Sequence, residues 1–295
     1  MERAAADAAP APVLAFVVNS LSGNEETHAR IELLQRVMDE DGRPYRLERI
    51  DDGGTVSATV RRAANWAAAH GGAVVAAGGD GTQNAVANAA LQAGCPMGVV
   101  PQGTFNYFAR ANGIPTDPEA ALRQLLAAAP VPVQVGRMND RIFLVNASLG
   151  LYPQLLQDRE AFKHQFGRNR FNAMLAALGT ILREHRHWTL ELDVGGEAYV
   201  VRTSTLFVGN NVLQLQQVGL PQAEAVARGA LAAVMVKPVG RLEMLGLALR
   251  GALGTLGDAD SVVDFAFRRL TVRPARRARA RRLRVAVDGE VLTLA

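Results

Sequence analysis

A glycine-rich loop between an apolar run and an alanine-rich run constrains the fold of this chain most strongly. The stretch AVVAAGGDGTQNAVANAA, residues 73–90, places Gly78, Gly79, Asp80 and Gly81 in succession. A plain turn needs only one or two such residues. The apolar run indicates a buried strand and the alanine-rich run a helix. We therefore expect a strand–loop–helix unit whose free backbone N–H groups face an anion such as phosphate.

The aspartate separates this loop from the common phosphate-binding loops. Gly81 can adopt a positive φ, and Thr82 can cap the helix and donate to a phosphate. A carboxylate at Asp80 repels phosphate unless a cation or a donor intervenes, which suggests Mg²⁺ bridging or proton chemistry. Neither a Walker Gly-Lys-Ser/Thr nor a Gly-x-Gly-x-x-Gly pattern is present. On this stretch alone, a structural turn between strand and helix remains open.

Two further loops repeat the pattern. VVPQGTFNYFARANGIP, residues 99–115, contains a strand-like run, Pro-x-Gly-Thr and a short helix, and NSLSGN, residues 19–24, follows the first apolar run. The carboxyl ends of parallel strands meet at one edge of a sheet, where open α/β folds bind ligands. We expect the three loops to lie together there, which argues against turns alone.

The first half of the chain alternates strand-like and helix-like runs, which predicts a doubly wound α/β domain with a parallel sheet over residues 1–130. The expected strands are 13–18, 45–50, 73–77 and 96–101, and the expected helices are 28–40, 55–70, 82–94, 106–113 and 117–128.

Beyond residue 130 the period changes to that of strands, which predicts an antiparallel β-sandwich domain over residues 131–295. Trp188, Leu190, Leu192 and Val194, for example, alternate along one face. The expected strands are 131–138, 141–150, 188–194, 198–209, 230–236, 262–267 and 281–287, with helical inserts at 154–186 and 240–256.

Composition limits the possible functions. The chain has 295 residues, 49% of them hydrophobic, and a single cysteine, Cys95, so an intramolecular disulfide is impossible and a reducing cytoplasm is expected. We expect neither a signal peptide nor a transmembrane helix. The five histidines form no metal set. Seven arginines in 273–284 would attract anionic headgroups, but no aromatic residue interleaves with them, so nucleic acid is not expected.

The stretches NSLSG, GGDGT and PQGTFNYFARANGIP, with VDGEV at 287–291, resemble the catalytic-domain family of diacylglycerol kinases and their bacterial lipid-kinase and sphingosine-kinase relatives. GGDGT alone also resembles loops of NAD kinases and phosphofructokinases. The resemblance implies an ATP-binding α/β domain, a lipid-substrate β-sandwich domain and a cleft between them. It also implies ATP with Mg²⁺, a lipid substrate, peripheral contact with the inner membrane surface from the cytoplasm, and a possible homodimer.

Carried over by motif, the resemblance implies a nucleotide site and a set of acids. Glu290, Asp288 and Asp80 would be catalytic, with Asp288 or Glu290 accepting the proton of the lipid hydroxyl. From the residues alone, Asp288-Gly289 between two alternating apolar runs predicts a two-residue hairpin turn, and Asp288 could be a turn residue only. The nucleotide would contact Asn19, Ser20, Leu21, Ser22, Gly23, Gly78, Gly79, Gly81, Thr82, Gln83, Asn84, Gly103, Thr104 and Asn106.

The chain departs from the family pattern at several positions. Tyr107 stands where many diacylglycerol kinases have an acid. Arg228 comes before Gly229, at a position where the family often has the aspartate of an Asp-Gly pair. Asn24 stands where some members have a lysine in the first loop. These departures argue against a separate structural Mg²⁺ site, but not against Mg²⁺ that enters with ATP. Tyr152-Pro153 stands where sphingosine-type kinases often have an acid. This departure weakens the case for an amino-alcohol substrate, because a carboxylate would be the natural partner of its ammonium group.

The main hypothesis is an ATP-dependent kinase that phosphorylates the hydroxyl of a lipid such as diacylglycerol. An NAD-kinase-like phosphotransferase and a non-catalytic nucleotide- or lipid-binding relative remain as alternatives. The apolar segments 170–182 and 241–257 could be core helices, and membrane contact is the alternative interpretation.

Overall fold

The computed structural model describes residues 12–20, 24–150, 187–275 and 283–294. It divides into two compact units, Met1–Pro132 and Val133–Ala295. The site predictions for Leu21, Ser22 and Gly23 and the helical insert at 154–186 lie outside the described residues, as does 276–282 of the arginine-rich run.

The first unit is built on a four-stranded, all-parallel sheet in the order β2-β1-β3-β4. Because β2 and β3 lie on opposite sides of β1, the strand order reverses between β1 and β3, and the loops after these two strands begin at the switch point. The strands are β1 Leu14–Asn19, β2 Tyr45–Ile50, β3 Ala73–Gly78 and β4 Met97–Pro101, and the helices are α1 Asn24–Asp41, α2 Val56–Ala69, α3 Asp80–Ala93, α4 Tyr107–Ala111 and α5 Pro118–Ala127.

Both faces of this sheet are covered, which explains why its strands are almost continuously apolar. On one face the small side chains of α2 and α3 pack on Ala15, Val17 and Val74. On the other face α1 and α5 pack on Phe16 and Val75 among others. The sheet is therefore doubly wound, and it holds the loops at the carboxyl ends of β1, β3 and β4 on a rigid base.

The second unit contains two antiparallel sheets and a short hairpin. With the strands numbered along the chain, the six-stranded sheet has the order β12-β11-β10-β7-β14-β15. The three-stranded sheet has the order β13-β8-β9, and β5 pairs with β6 in the hairpin. These strands are β5 Gly136–Met138, β6 Arg141–Phe143, β7 Asn146–Gly150, β8 Trp188–Val194, β9 Glu197–Thr203, β10 Thr205–Gly209, β11 Leu231–Val236, β12 Val262–Phe267, β13 Leu270–Pro274, β14 Leu283–Val287 and β15 Glu290–Leu294.

The two larger sheets share one apolar core. Leu190 and Leu192 of β8 pack with Leu149 of β7, Leu206 of β10 and Met235 of β11. Three helices also belong to this unit: α6 Val212–Gln217, α7 Ala223–Ala227 and α8 Arg241–Leu253. The predicted fold class, an α/β domain with a parallel sheet followed by antiparallel sheets, is confirmed.

Several element boundaries differ from prediction. The strand expected at 131–138 is restricted to Gly136–Met138, and α6, α7 and β13 were not predicted. The run 198–209 forms two strands in different sheets, because Thr203 Oγ1 turns to bond the carbonyls of Thr205 and Val236 and breaks the strand at Ser204. Helix α3 begins two residues earlier than expected, at Asp80.

Candidate active site

The loop after β3 enters α3 with little space around its glycines. Gly79 is the N-cap of α3, with φ −80° and ψ −175°, and no side chain caps the first turn. The predicted capping role of Thr82 is therefore wrong, because Thr82 lies inside the helix. The predicted positive φ of Gly81 is also wrong. A Cβ on Gly81 would contact nothing within 4 Å, so the glycine leaves open space beside the N–H groups of the first turn.

The loops after β3 and β4 touch through their backbones. The N–H of Gln102 donates to the carbonyl of Gly78 at 3.0 Å. A Cβ on Gly103 would lie 2.8 Å from Cα of Gly79, closer than real Cβ atoms approach another atom. Glycine at 103 is therefore required for the contact, which places the two predicted glycine loops side by side.

Asp80 joins these loops through its carboxylate. Oδ2 accepts the N–H of Asn106 at 3.1 Å, and Oδ1 accepts the N–H of Tyr107 at 3.0 Å. Both donors belong to the start of α4, where a negative charge is favourable. Burial raises the pKa of Asp80, and the backbone N–H donors oppose that rise. Asp80 therefore has donors that stabilise its charge, and Tyr107 supplies one through its backbone.

Asn106 fixes the second loop from within. Its backbone is left-handed, with φ 49°, a conformation that asparagine tolerates better than most residues. Its Oδ1 accepts the N–H of Gly103 at 2.9 Å, and its Nδ2 donates to the Gly103 carbonyl at 2.8 Å. Asn106 is buried, so its side chain shapes the loop, while Thr104 between them is exposed.

The first loop reaches the same helix. Asn19, the last residue of β1, donates from Nδ2 to Thr82 Oγ1 at 3.1 Å. Ser20 donates its N–H to the carbonyl of Ile50 at 3.0 Å. The start of the first loop, the loop after β3 and the loop after β4 thus form one connected group, as the sequence predicted.

Two of the predicted nucleotide residues point inward. Gln83 is 0% exposed, and its Nε2 donates to the Gly78 carbonyl at 3.2 Å. Asn84 is buried, and its Oδ1 accepts from Asn88 at 3.1 Å. These side chains hold the end of β3 and the first turns of α3. In the described part of the group, Gly79, Gly81 and Thr104 are partly or fully accessible to a ligand.

In the second unit, Asp288 and Gly289 form the turn of the β14–β15 hairpin, with φ 44° and 88°. The predicted two-residue turn is therefore present. The Asp288 carboxylate accepts the N–H groups of Leu144 at 2.6 Å, Val145 at 2.9 Å and Asn146 at 2.9 Å. This explains why the predicted strand 141–150 breaks between β6 and β7.

Glu290 differs from Asp288 in its surroundings. It is the first residue of β15, it pairs with Val287, and it is exposed. Its side chain forms no hydrogen bond or ion pair with another described residue. Of the three acids predicted to be catalytic, two are bonded by backbone N–H groups and Glu290 is available to a ligand.

The same hairpin lines a cavity that sequence reasoning missed. The cavity has a volume of about 230 Å³ and lies in the sandwich core. Its lining is mainly apolar, with Arg137 and Ser148 among the few polar members; apolar members include Phe143, Leu206, Phe267, Val285 and Leu294. Leu283, Val285 and Leu294 belong to the hairpin that carries Glu290. The alternation of apolar residues predicted a core, but an unfilled space within it has no sequence signal.

Asn146 of β7 is a buried polar residue that the sequence analysis did not single out. Its Nδ2 donates to Gln214 Oε1 of α6 at 3.1 Å. Its Oδ1 is buried with no hydrogen-bond partner among the described residues. Its carbonyl accepts the N–H of Asp288 at 2.9 Å. The polar–small alternation in NASLG was the available signal, since a buried strand seldom carries two polar side chains.

Metal ligands do not cluster in the described structure. Among residues 12–20, 24–150, 187–275 and 283–294, no group of three His, Cys, Asp or Glu could hold a metal ion. Arg228 is exposed and pairs with Glu224 at 3.6 Å. Within the same residues, no helix is both long and apolar enough to cross a bilayer.

Comparison with known proteins finds similarity that is concentrated in the first unit. The family model for the diacylglycerol kinase catalytic domain matches residues 13–138. A protein of Serratia proteamaculans named "Probable lipid kinase YegS-like" is 34% identical over 145 residues, which cover 48% of this chain and 45% of that protein. A Pseudomonas putida protein of the same name is 34% identical over 197 residues, 61% of this chain and 60% of that protein.

These alignments span about half the length of the curated relatives, whereas structural similarity extends further. A solved structure named as a diacylglycerol kinase from Bacillus anthracis str. Sterne matches with a TM-score of 0.65 at 17% identity, covering 95% of this chain and 90% of that one. At this identity the likeness supports the fold. The family resemblance predicted from the motifs is confirmed, because residues 13–138 match the family model for the diacylglycerol kinase catalytic domain.

Proposed function

We propose that this protein is an ATP-dependent lipid kinase that transfers the γ-phosphoryl group to a lipid hydroxyl, most simply that of diacylglycerol. The observation that carries the proposal is the connected group of loops after β1, β3 and β4. It combines an uncapped helix start with open space at Gly81, which suits the approach of phosphate oxygens to backbone N–H groups.

The nucleotide phosphates would contact the first turn of α3 and the exposed Thr104. Mg²⁺ would enter with ATP and neutralise charge on the transferred group. The cradle accommodates phosphate without a Walker lysine because its donors are backbone N–H groups. Asp80 supports this cradle by binding the start of α4, so we assign it a positioning role.

The acceptor would bind to the second unit. An apolar cavity of about 230 Å³ suits part of an acyl chain, and the hairpin that lines it carries the exposed Glu290. A lipid with a hydroxyl near its polar end would place apolar and polar parts against the same hairpin. This is the support for a lipid acceptor over a soluble one such as NAD.

In the proposed reaction the lipid hydroxyl oxygen attacks the γ-phosphorus of ATP. A new P–O bond forms, the bond from the γ-phosphorus to the bridging oxygen breaks, and ADP leaves with that electron pair. The hydroxyl proton passes to the Glu290 carboxylate. Asp288 is less suited to this step because three N–H groups occupy its oxygens.

The test is transfer of label from radiolabelled ATP to a panel of diacylglycerol, monoacylglycerol, ceramide, sphingosine and NAD. We expect a labelled lipid and no labelled NAD. Glu290→Gln should lower kcat by about 10²- to 10⁴-fold with an unchanged melting temperature. Glu224→Gln is the matched control, because Glu224 is also an exposed acid, on α7. Labelling of NAD alone, or ATP binding without turnover of any acceptor, would reject the proposal.

A further inference from the structure

Helix α8, Arg241–Leu253, has an apolar ridge on the side opposite its core face. Its core side is formed by Met244 and Leu247, which pack with Val236. Its outer side exposes Leu242 by 84%, Leu249 by 61% and Leu253 by 68%. The buried leucines of the core are at most 6% exposed. The three leucines of the ridge are therefore largely accessible to solvent.

The ridge is straight. Its leucines are seven and four residues apart, and at about 100° per residue they fall within about 40° of one another around the helix. The neighbouring Leu245 packs toward the core cluster and does not belong to the ridge. The exposed set is therefore Leu242, Leu249 and Leu253, on a line along the outer surface.

Charged side chains lie on either side of this ridge. Arg241 and Arg250 are both exposed, and neither forms an ion pair with a described residue. By helical geometry Arg241 lies about 100° to one side of the ridge and Arg250 about 80° to the other. Glu243 is the remaining charged residue, so two arginines and one glutamate give the helix a net charge of +1.

We propose that this ridge, together with Arg241 and Arg250, docks the protein on an anionic lipid bilayer. Three leucines on a convex line can enter the headgroup boundary, where flanking arginines reach lipid phosphates while their stems stay in the apolar zone. A stable protein partner needs about 20–30 residues a side, which this narrow ridge does not offer. The proposal rests on the proposed lipid-kinase function for its choice of a bilayer.

The test is co-sedimentation of the full chain with vesicles of phosphatidylcholine, with and without phosphatidylglycerol. We expect Leu242→Glu and Leu249→Glu to weaken binding by about tenfold or more. Leu91→Glu is the matched control, because Leu91 on α3 is 63% exposed; its binding should equal wild type. Arg250→Glu should weaken binding to phosphatidylglycerol vesicles and leave binding to pure phosphatidylcholine almost unchanged.

A variant that should bind more strongly is also needed, because misfolding could explain a loss of binding but not a gain. Gly246 lies beside the ridge, its φ is negative, and a Cβ there would meet nothing within 4 Å. Gly246→Leu should therefore extend the ridge, favour the helix and strengthen vesicle binding. Unchanged binding in Leu249→Glu, or a dimer in solution that Leu249→Glu converts to monomer, would overturn the proposal.

A second readout separates this proposal from the proposed function. Each variant is also assayed for phosphorylation of dispersed dioctanoylglycerol without vesicles. Normal activity with unaltered vesicle binding in Leu249→Glu would reject the docking ridge and keep the kinase. Loss of vesicle binding in a protein that phosphorylates no lipid would reject the kinase and keep the ridge.

Discussion

At the scale of single residues, similar acids have different surroundings. Asp80 and Asp288 each accept several backbone N–H groups, whereas Glu290 is exposed. A carboxylate bonded in this way holds backbone in place, and it is less available to accept a proton from a substrate. The signature motifs therefore combine positioning acids with one candidate proton acceptor.

The raised pKa of Asp80 predicts a pH dependence of stability. The folded protein binds this proton more tightly than the unfolded chain, from the ordinary carboxyl pKa near pH 4 up to the raised pKa. Across that window the contribution of Asp80 to the unfolding free energy falls as pH rises. The difference in unfolding free energy between wild type and Asp80→Asn should fall likewise and then level off. Urea unfolding at a series of pH values measures it; a difference that rises with pH would contradict the prediction.

Substitutions at Gly103 and Gly81 should have different effects on stability and on ATP binding. Gly103→Ala should lower the unfolding free energy by about 1–3 kcal/mol and raise the KM for ATP, because its Cβ would meet Gly79 and Asn106. Gly81→Ala should keep or slightly raise the unfolding free energy, because alanine favours a helix, and it should raise the KM for ATP, because its Cβ would occupy the open space left for phosphate. Gly53→Ala, with nothing within 4 Å, is the control, and both quantities should stay at wild-type values. Normal ATP binding by Gly81→Ala would show that phosphate does not bind beside Gly81.

At the scale of elements, the β14–β15 hairpin depends on one carboxylate. Asp288→Ala would leave the N–H groups of Leu144, Val145 and Asn146 without their acceptor, and should lower the unfolding free energy by about 2–4 kcal/mol. Asp193→Ala is a matched control, because this aspartate lies at the β8–β9 turn and, among the described residues, accepts one backbone N–H, that of Gly196 at 3.1 Å. Its effect should be clearly smaller. Equal melting temperatures for the two variants would show that Asp288 does not anchor the hairpin.

The same contacts show which elements the sequence could predict. The parallel sheet, its helices and the Asp-Gly turn followed from apolar periodicity and turn chemistry, which are local properties. The break at Leu144–Val145 did not, because its cause is Asp288, 144 residues away from Leu144. The partners of Asp80 were equally hidden, since Asn106 and Tyr107 meet it only when β3 and β4 are neighbours. The departure at Tyr107 indicated a lost acid, but not that its backbone N–H would serve Asp80.

At the scale of the whole molecule, the two units carry different parts of the proposed chemistry. In the proposed reaction the first unit would bind phosphate through its backbone N–H groups, and the second unit would supply the exposed Glu290 and the apolar cavity. In this proposal the cavity would bind part of the lipid, and its contribution can be tested independently of the proton acceptor.

Ala147 is suited to that test. It lines the cavity and pairs with Val287, the residue opposite Glu290 in the hairpin. Ala147→Leu should fill part of the cavity, so the variant should phosphorylate long-chain dioleoylglycerol about tenfold less efficiently, by the loss of about 1.4 kcal/mol of acyl-chain binding. Activity on dioctanoylglycerol should change little, because a shorter chain needs less of the space. Ala233→Leu, in the same core but absent from the cavity lining, is the packing control and should destabilise the fold without altering chain-length preference. Equal losses on both substrates in Ala147→Leu would mean that the cavity holds no acyl chain.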